Sequence, residues 1–364
     1  MAKGFREARV KRVGNLWQEL TSIGNLMLAA KRAAAGKRVR PDVARFLLDL
    51  ETEVFQIRRE LLDETYRPGP YRSFEITDPK PRLISAAPFR DRVVHHALTQ
   101  VLQAVFERRF SSDSFACRTG FGTHAALAKA KAAMRKYPYV LKCDVRKYFA
   151  SIDHAILNEL LARAVKCRPT LGLASLIIEG SNPQEEVISY YPGDDLFTPF
   201  ERRRGLPLGN QTSQFFANVY LNPLDQFLNR HHQAFPYVRY VDDFLLFGDS
   251  KIELQCARRE IVRVLGGLRL DIHPRKSRVY RTREGVTFLG WRLYPEKIRL
   301  VRANVVRFRR KLRELQCGMA EGRMGWDEVN QRIRAWIAHA AHGDTWRLRE
   351  QVFGQFAFRK GSAV

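Results

Sequence analysis

The chain has 364 residues, 45% of them hydrophobic, which is enough for a large core and two or three subdomains. Its 63 Lys and Arg against 38 Asp and Glu leave a net charge of +25, and such an excess favours a polyanionic partner, nucleic acid first. No apolar run approaches membrane-span length, the start (Met1-Ala2-Lys3-Gly4-Phe5-Arg6) lacks a signal-peptide core, and five scattered cysteines without a C-x-x-C pair argue against a disulfide framework or zinc site. A soluble, cytoplasmic protein with no membrane partner is the expectation.

Residues 1–40 carry ten Lys or Arg against Glu7 and Glu19. Leu16, Leu20, Ile23, Leu26 and Leu28 predict an amphipathic helix, and Lys31 to Arg40 form a positive cluster broken by Pro41. A second helix over 41–65 is stopped by Tyr66-Arg67-Pro68-Gly69-Pro70. Strands are expected at Tyr71–Ile76 and Arg82–Ala86, joined by a turn at Asp78-Pro79-Lys80-Pro81, and then a helix over 87–109. The pairs His95-His96 and His231-His232 are poor metal candidates, because adjacent residues on a helix do not share a face.

A loop from Ser111 to Gly122 leads to an Ala-rich helix, Thr123 to Lys136, and an apolar strand, Tyr137 to Leu141, that runs into Lys142-Cys143-Asp144. Helices are predicted at 153–166 and 171–179, and a loop from Gly180 to Arg204. That loop contains Asp194-Asp195 without an apolar strand immediately before it, so it reads as a solvated turn. Gly205-Leu206-Pro207-Leu208-Gly209-Asn210-Gln211-Thr212-Ser213-Gln214 opens a helix over 212–230. A helix at 251–267, a strand pair around 268–294 and a helical end follow, with Trp326, Val329, Ile333 and Trp336 at core-facing spacing.

The chemistry centres on Arg239-Tyr240-Val241-Asp242-Asp243-Phe244-Leu245-Leu246-Phe247, which reads as strand, tight turn, strand, with two acids at the turn. Neighbouring strand residues point to opposite faces, so both acids serve one site only if the backbone turns there. Clustered carboxylates need a counter-charge, and Mg²⁺ takes oxygen ligands. Asp144, ending its own apolar strand, supplies the third carboxylate of a two-metal phosphoryl-transfer site. In such a site the ions lower the pKa of an attacking 3′-hydroxyl and stabilise charge on the phosphorus centre and the leaving pyrophosphate. The glycines before the 212–230 helix let a ligand approach the backbone at an anion-favouring helix start.

An Asp strand, a Gly-loop-helix and then Tyr-x-Asp-Asp, in that order, resemble the palm of reverse transcriptases. Phe110 to His124 resembles the matching block of group II intron-like bacterial enzymes. The resemblance implies an α+β right-hand polymerase with fingers, a palm holding an antiparallel sheet, and a helical thumb. Its divisions would be a basic helical extension (1–65), fingers (66–137), palm (138–298, with a finger-side insertion at about 166–204) and thumb (299–364). It implies a catalytic set of Asp144, Asp242, Asp243 and Lys276, the last protonating pyrophosphate. Two Mg²⁺, with Mn²⁺ as a substitute, would be held by Asp144, the Val145 backbone, Asp242 and Asp243. A dNTP would meet Lys80, Arg82, Arg146, Tyr148, Phe149, Leu208 and Gly209, with Phe149 crowding a ribose 2′-hydroxyl. Phe288-Leu289-Gly290-Trp291 resembles the primer grip.

One departure narrows the resemblance. Where most reverse transcriptases have Gln-Gly-x-x-x-Ser-Pro, this chain has Leu208-Gly209-Asn210-Gln211-Thr212-Ser213-Gln214. That form resembles the reverse transcriptases of diversity-generating retroelements, whose cDNA is mutated at template adenines. It implies template and fidelity roles for Leu208, Gly209, Ser213 and Gln214. The implied partners are dNTPs, a structured RNA that supplies template and primer, the cDNA, and an oligomeric accessory variability protein, in a bacterial or phage-encoded system. Little sequence follows the thumb, which suggests a stand-alone enzyme, and the basic first forty residues are the candidate contact with RNA or partner. The alternatives are a retron or phage-defence reverse transcriptase and, in another class, a non-catalytic RNA-binding scaffold.

Overall fold

Four helices open the chain in the computed structural model, which describes residues 11–77, 81–181 and 185–358. They are α1 (Leu16–Leu20), α2 (Ile23–Ala34), α3 (Pro41–Leu48) and α4 (Leu50–Leu62). Helix α2 starts where Ser22 Oγ accepts the Asn25 N–H at 3.2 Å, and it buries Leu26, Ala29, Ala30 and Ala33 along one stripe. Pro41 opens α3, where its missing N–H leaves nothing unpaired. The hairpin β1 (Arg72–Ile76) and β2 (Arg82–Ala86) sets Ile76 opposite Arg82. Of the turn expected between these strands at 78–81, residues 78–80 lie outside the described residues.

Helix α5 (Phe89–Phe106) is buried on most of its circumference, and its polar members include Asp91, His95 and Thr99. Burial, with the positive charges of His96 and Arg92, pushes His95 down to about 3. The fold therefore holds His95 neutral, while the unfolded chain takes up a proton below its ordinary pKa near 6.5. Its contribution to stability is therefore complete above pH 6.5 and is lost as pH falls toward 3. The expected loss is about 1.4 kcal/mol per pH unit for this residue. Denaturant titrations at pH 7.5, 6 and 5 check it, and His95→Met should flatten the slope by about one proton.

The remaining elements follow in chain order: α6 (Thr123–Lys136), β3 (Tyr139–Asp144), α7 (Tyr148–Ser151), α8 (His154–Ala164), α9 (Arg168–Glu179), α10 (Thr198–Glu201), α11 (Gln211–His231), β4 (Tyr237–Tyr240) and β5 (Asp243–Gly248). Then come α12 (Lys251–Gly267), β6 (Arg278–Arg281), β7 (Val286–Phe288), β8 (Trp291–Leu293), β9 (Ile298–Leu300), α13 (Arg302–Ala320), α14 (Trp326–Ala340) and α15 (Trp346–Phe353). Two compact units share them. The first runs up to Arg118 and adds Val145–His232 and Arg259–His273. The second is Thr119–Asp144, Gln233–Arg258 and the chain from Pro274 on.

The second unit is built on an antiparallel sheet of order β4-β5-β3-β6. Phe244, Leu245, Leu246 and Phe247 are all fully buried, so β5 is covered on both faces. A separate sheet, β7-β8-β9, stands where a single strand pair was expected over 268–294. Strands of three residues are too short to show a period in sequence. Beyond it, Phe308 stacks on Trp336 with centroids 3.8 Å apart. No helix among the described residues is long and apolar enough to cross a membrane.

In the first unit the expected solvated turn at Asp194-Asp195 holds for Asp195, which is exposed, and is corrected for Asp194. Asp194 pairs with Arg202, and both side chains are almost wholly buried. Arg202 also faces buried Asp153, which holds Arg269 at 2.6 Å and caps α8 by accepting the Ile156 N–H at 3.1 Å. Asp195 accepts the N–H of Phe197 and of Thr198 at the start of α10. Arg202 within the 190–204 segment and the distant Arg269 both meet Asp153, a clamp that local pattern does not reveal.

Candidate active site

The ladder of the second unit fixes the acids. Asp144 is the last residue of β3 and Asp243 the first of β5, and the two are direct cross-strand partners. Directly opposed residues share a face, and like charges there repel. The turn from β4 to β5 consists of Val241 and Asp242 alone, since Tyr240 pairs with Asp243. Val241 has φ 57°, a left-handed conformation that a β-branched residue adopts only under constraint. Buried Arg239 donates to the Val241 carbonyl at 3.0 Å and braces that turn. The Tyr240 hydroxyl lies 3.3 Å from Thr123 Oγ1, which ties the hairpin to α6.

Two lysines supply counter-charge. Lys276 reaches both carboxylate oxygens of Asp144 at 3.3 Å. Lys142 lies 3.4 Å from Asp243 Oδ2. Burial pushes the Asp243 carboxyl up to about 7; Lys142 opposes the shift, and the charges of Asp144 and Asp242 add to it. The Asp144 N–H donates to Ser277 Oγ at 3.2 Å. Lys142 had no assigned role in the sequence, although it stands two residues before Asp144 and therefore on the same strand face.

A divalent cation fits these residues. Asp243 Oδ1 is buried without a hydrogen-bond partner, and paired carboxylate oxygens are the donors Mg²⁺ takes. Among the described residues no three His, Cys, Asp or Glu side chains already converge on one metal position. The lysines occupy the role of counter-ion instead.

The first unit gathers most of the residues expected to meet a nucleotide. The Leu208 carbonyl accepts the Ser85 N–H at 3.0 Å, and Asn210 bonds the Ser85 carbonyl and the Ala87 N–H. Gly209 has φ 114°, and a Cβ there would sit 3.0 Å from Ile84 Cγ2, so only glycine fits. Arg82, exposed, lies two residues from Ile84 on the same face of β2. The Leu206 N–H donates to the Phe149 carbonyl at 2.8 Å and the Gly205 N–H to Ile152 at 2.8 Å, lacing this loop to α7. The Arg146 N–H donates to the Asp271 carbonyl at 2.7 Å, and Val145 bridges Ile272.

Several expected contacts are narrowed. Tyr148 is buried and its hydroxyl donates to the Ala217 carbonyl, so the backbone is what it can offer a nucleotide. Ser213 is buried, whereas Gln214 is exposed and accepts from Cys117 Sγ at 3.3 Å. Phe288 and Trp291 are fully buried, leaving the Leu289-Gly290 tip, with φ 50° and 82°, as the accessible part of that turn. Lys80 lies outside the described residues.

Comparison with known proteins decides the family. The profile described as "Reverse transcriptase (RNA-dependent DNA polymerase)" matches residues 76–293, well over half of the chain. The chain belongs to the reverse transcriptase family. It is an RNA-directed DNA polymerase by family, with the α+β right-hand fold class that the sequence predicts. Protein YkfC of Escherichia coli K12 is 24% identical over 297 residues, covering 71% of this chain and 75% of that protein. The group II intron-encoded protein LtrA of Lactococcus lactis is 25% identical over 183 residues, covering 49% of this chain and 28% of LtrA. Apo telomerase from Candida tropicalis aligns over 64% of this chain and 49% of its own at 12% identity, with a TM-score of 0.47.

Proposed function

We propose that this reverse transcriptase copies a template-repeat RNA into cDNA with errors concentrated at template adenines, as the polymerase of a diversity-generating retroelement. The carrying observation is Leu208, an apolar side chain on a loop stitched by backbone bonds to the strand that bears Arg82. A carboxamide at that position would hydrogen-bond a nascent base pair and report its geometry. Leucine removes that check, and discrimination that rests on hydrogen bonding falls with it.

Asp144, Asp242 and Asp243 hold the divalent cations, which when bound activate the primer 3′-hydroxyl and neutralise charge on the phosphates. Lys276, whose ammonium stands 3.3 Å from both carboxylate oxygens of Asp144, would give a proton to the departing pyrophosphate. Arg82 and Arg146 present guanidinium groups to the triphosphate. The further partners are a structured RNA and a small oligomeric accessory protein, in the cytoplasm of a bacterial host.

Primer extension on a defined RNA template, with the cDNA sequenced, tests the reading. Leu208→Gln is expected to lower misincorporation opposite template adenine by about tenfold. An unchanged error rate would sink the assignment of Leu208. The similarity to the intron-encoded protein LtrA supports a second reading, a faithful enzyme of the intron type. Accurate cDNA from the unaltered chain, with its RNA and accessory protein present, would favour that reading.

A further inference from the structure

Within the first unit, residues of α1, α4 and α9 line a cavity of about 570 Å³ that includes none of the residues assigned to the polymerase site. Its volume falls in the range of roughly 300–1,000 Å³ typical of small-ligand pockets. Trp17 and Tyr66 supply aromatic surface, Glu64 a carboxylate and Arg168 a guanidinium.

The frame is rigid. The buried Tyr66 hydroxyl donates to Asp91 Oδ1 at 2.8 Å, and Asp91 Oδ2 accepts the Gly69 N–H at 2.8 Å. Arg67 Nη1 donates to the carbonyls of Glu64 and Tyr66 at 3.0 and 2.8 Å, fixing the turn after α4. Glu60 is already paired with Arg90 at 2.8 Å, so exposed Glu64 is the carboxylate left to a ligand. Arg168 is the first residue of the twelve-residue α9 and is exposed, so its charge adds to the positive end of that helix.

These groups match one kind of ligand. A half-buried indole offers a stacking face for a base, as in proteins that hold single strands. A guanidinium at a helix start suits a phosphate. An ionised carboxylate only accepts, and guanine is the base with two adjacent N–H donors, N1–H and N2–H₂, on one edge. A chain with net charge +25 brings the RNA close by field alone. We propose that this cavity binds one guanine nucleotide of single-stranded RNA, with the base on Trp17, its donor edge on Glu64 and its phosphate on Arg168. The inference rests on the chain handling RNA, and it gives the N-terminal helices a sequence-reading role that the polymerase site does not supply.

Gly172 provides the test. It lines the cavity in the middle of α9, and a Cβ built there meets nothing within 4 Å. Gly172→Leu therefore fills the space while improving helix propensity. The probe is the pentaribonucleotide UUGUU with 6-thioguanosine at its centre, which keeps N1–H and N2–H₂. After irradiation of the full chain, the cross-link should map to peptides containing Trp17 or Tyr66. Gly172→Leu and Trp17→Ala should each lower its yield by about tenfold or more, while Trp17→Phe retains most of it. Unlabelled UUGUU should compete about tenfold better than UUAUU, and Glu64→Gln should level the two. Cross-links that map elsewhere, or a yield indifferent to Gly172→Leu, overturn the site. Equal competition by UUAUU overturns the guanine assignment. Extension of oligo(dT) on poly(rA) by the Gly172→Leu protein reports the polymerase separately: lost binding with retained extension supports the pocket. A cross-link at Trp17 from a chain that never extends a primer leaves the pocket standing and removes the polymerase reading.

Discussion

Asp243→Asn is expected to lower primer extension by on the order of 10³-fold or more and to leave a fold that is more stable than the starting protein. Both halves follow from the same burial. The carboxylate stands directly across the ladder from Asp144, with one oxygen buried and unpartnered and the other 3.4 Å from Lys142. An uncharged carboxamide of the same shape removes like-charge repulsion and most of the desolvation penalty, about 1–3 kcal/mol. It also removes the charge that would hold a divalent cation. Primer extension with Mg²⁺ and a thermal melt read the two effects on one preparation. Retention of a tenth of the activity would exclude Asp243 from the metal set. A lower melting temperature would show that the Lys142 pair contributes more than the burial of the acid costs.

Phe149→Val is expected to open the enzyme to ribonucleotides. Incorporation of rNTP relative to dNTP is expected to rise about 10- to 200-fold, the range that a change of pocket shape supplies. The neighbouring Tyr148 is drawn into the core by its bond to the Ala217 carbonyl, so the short helix α7 has one orientation. Phe149 is then held half-buried, with its carbonyl bonded to the Leu206 N–H. Both the ring and the Leu208 loop belong to one hydrogen-bonded segment, so shortening the side chain changes shape without releasing the backbone. Single-nucleotide incorporation with matched dNTP and rNTP measures the ratio. An unchanged ratio would place the ring in the core and away from the sugar.

Much of this was legible in the sequence, and what was missed has definite causes. Apolar runs ending in Asp144 and starting at Asp243 identify two strands that carry acids at their ends, because periodicity and turn chemistry are local properties. The register that makes those two residues direct partners depends on the turn being two residues long, which the sequence allows but does not dictate. Lys142 carries no signal in the sequence because a lone lysine in a strand is common; only its diagonal position to Asp243 gives it meaning. The clamp of Asp194, Arg202, Asp153 and Arg269 is closed by the Asp153–Arg269 pair, 116 positions apart in sequence. The buried state of Phe288 and Trp291 follows from a sheet of three-residue strands that no window of periodicity detects.

The turn formed by Val241 and Asp242 also limits how this chain can vary. Side chains alternate along a strand, so one residue added or removed there would move every following member of β5 to the opposite face. Asp243 would exchange places with a neighbour, and the buried run Phe244 to Phe247 would shift by one against Val140 and Leu141. Substitutions at the tip alter charge or comfort at one position, whereas a change of length reassigns the whole strand. Homologues are therefore expected to differ in the residues of this tip and to agree in its length, and libraries that probe the site should vary composition there while keeping the count fixed.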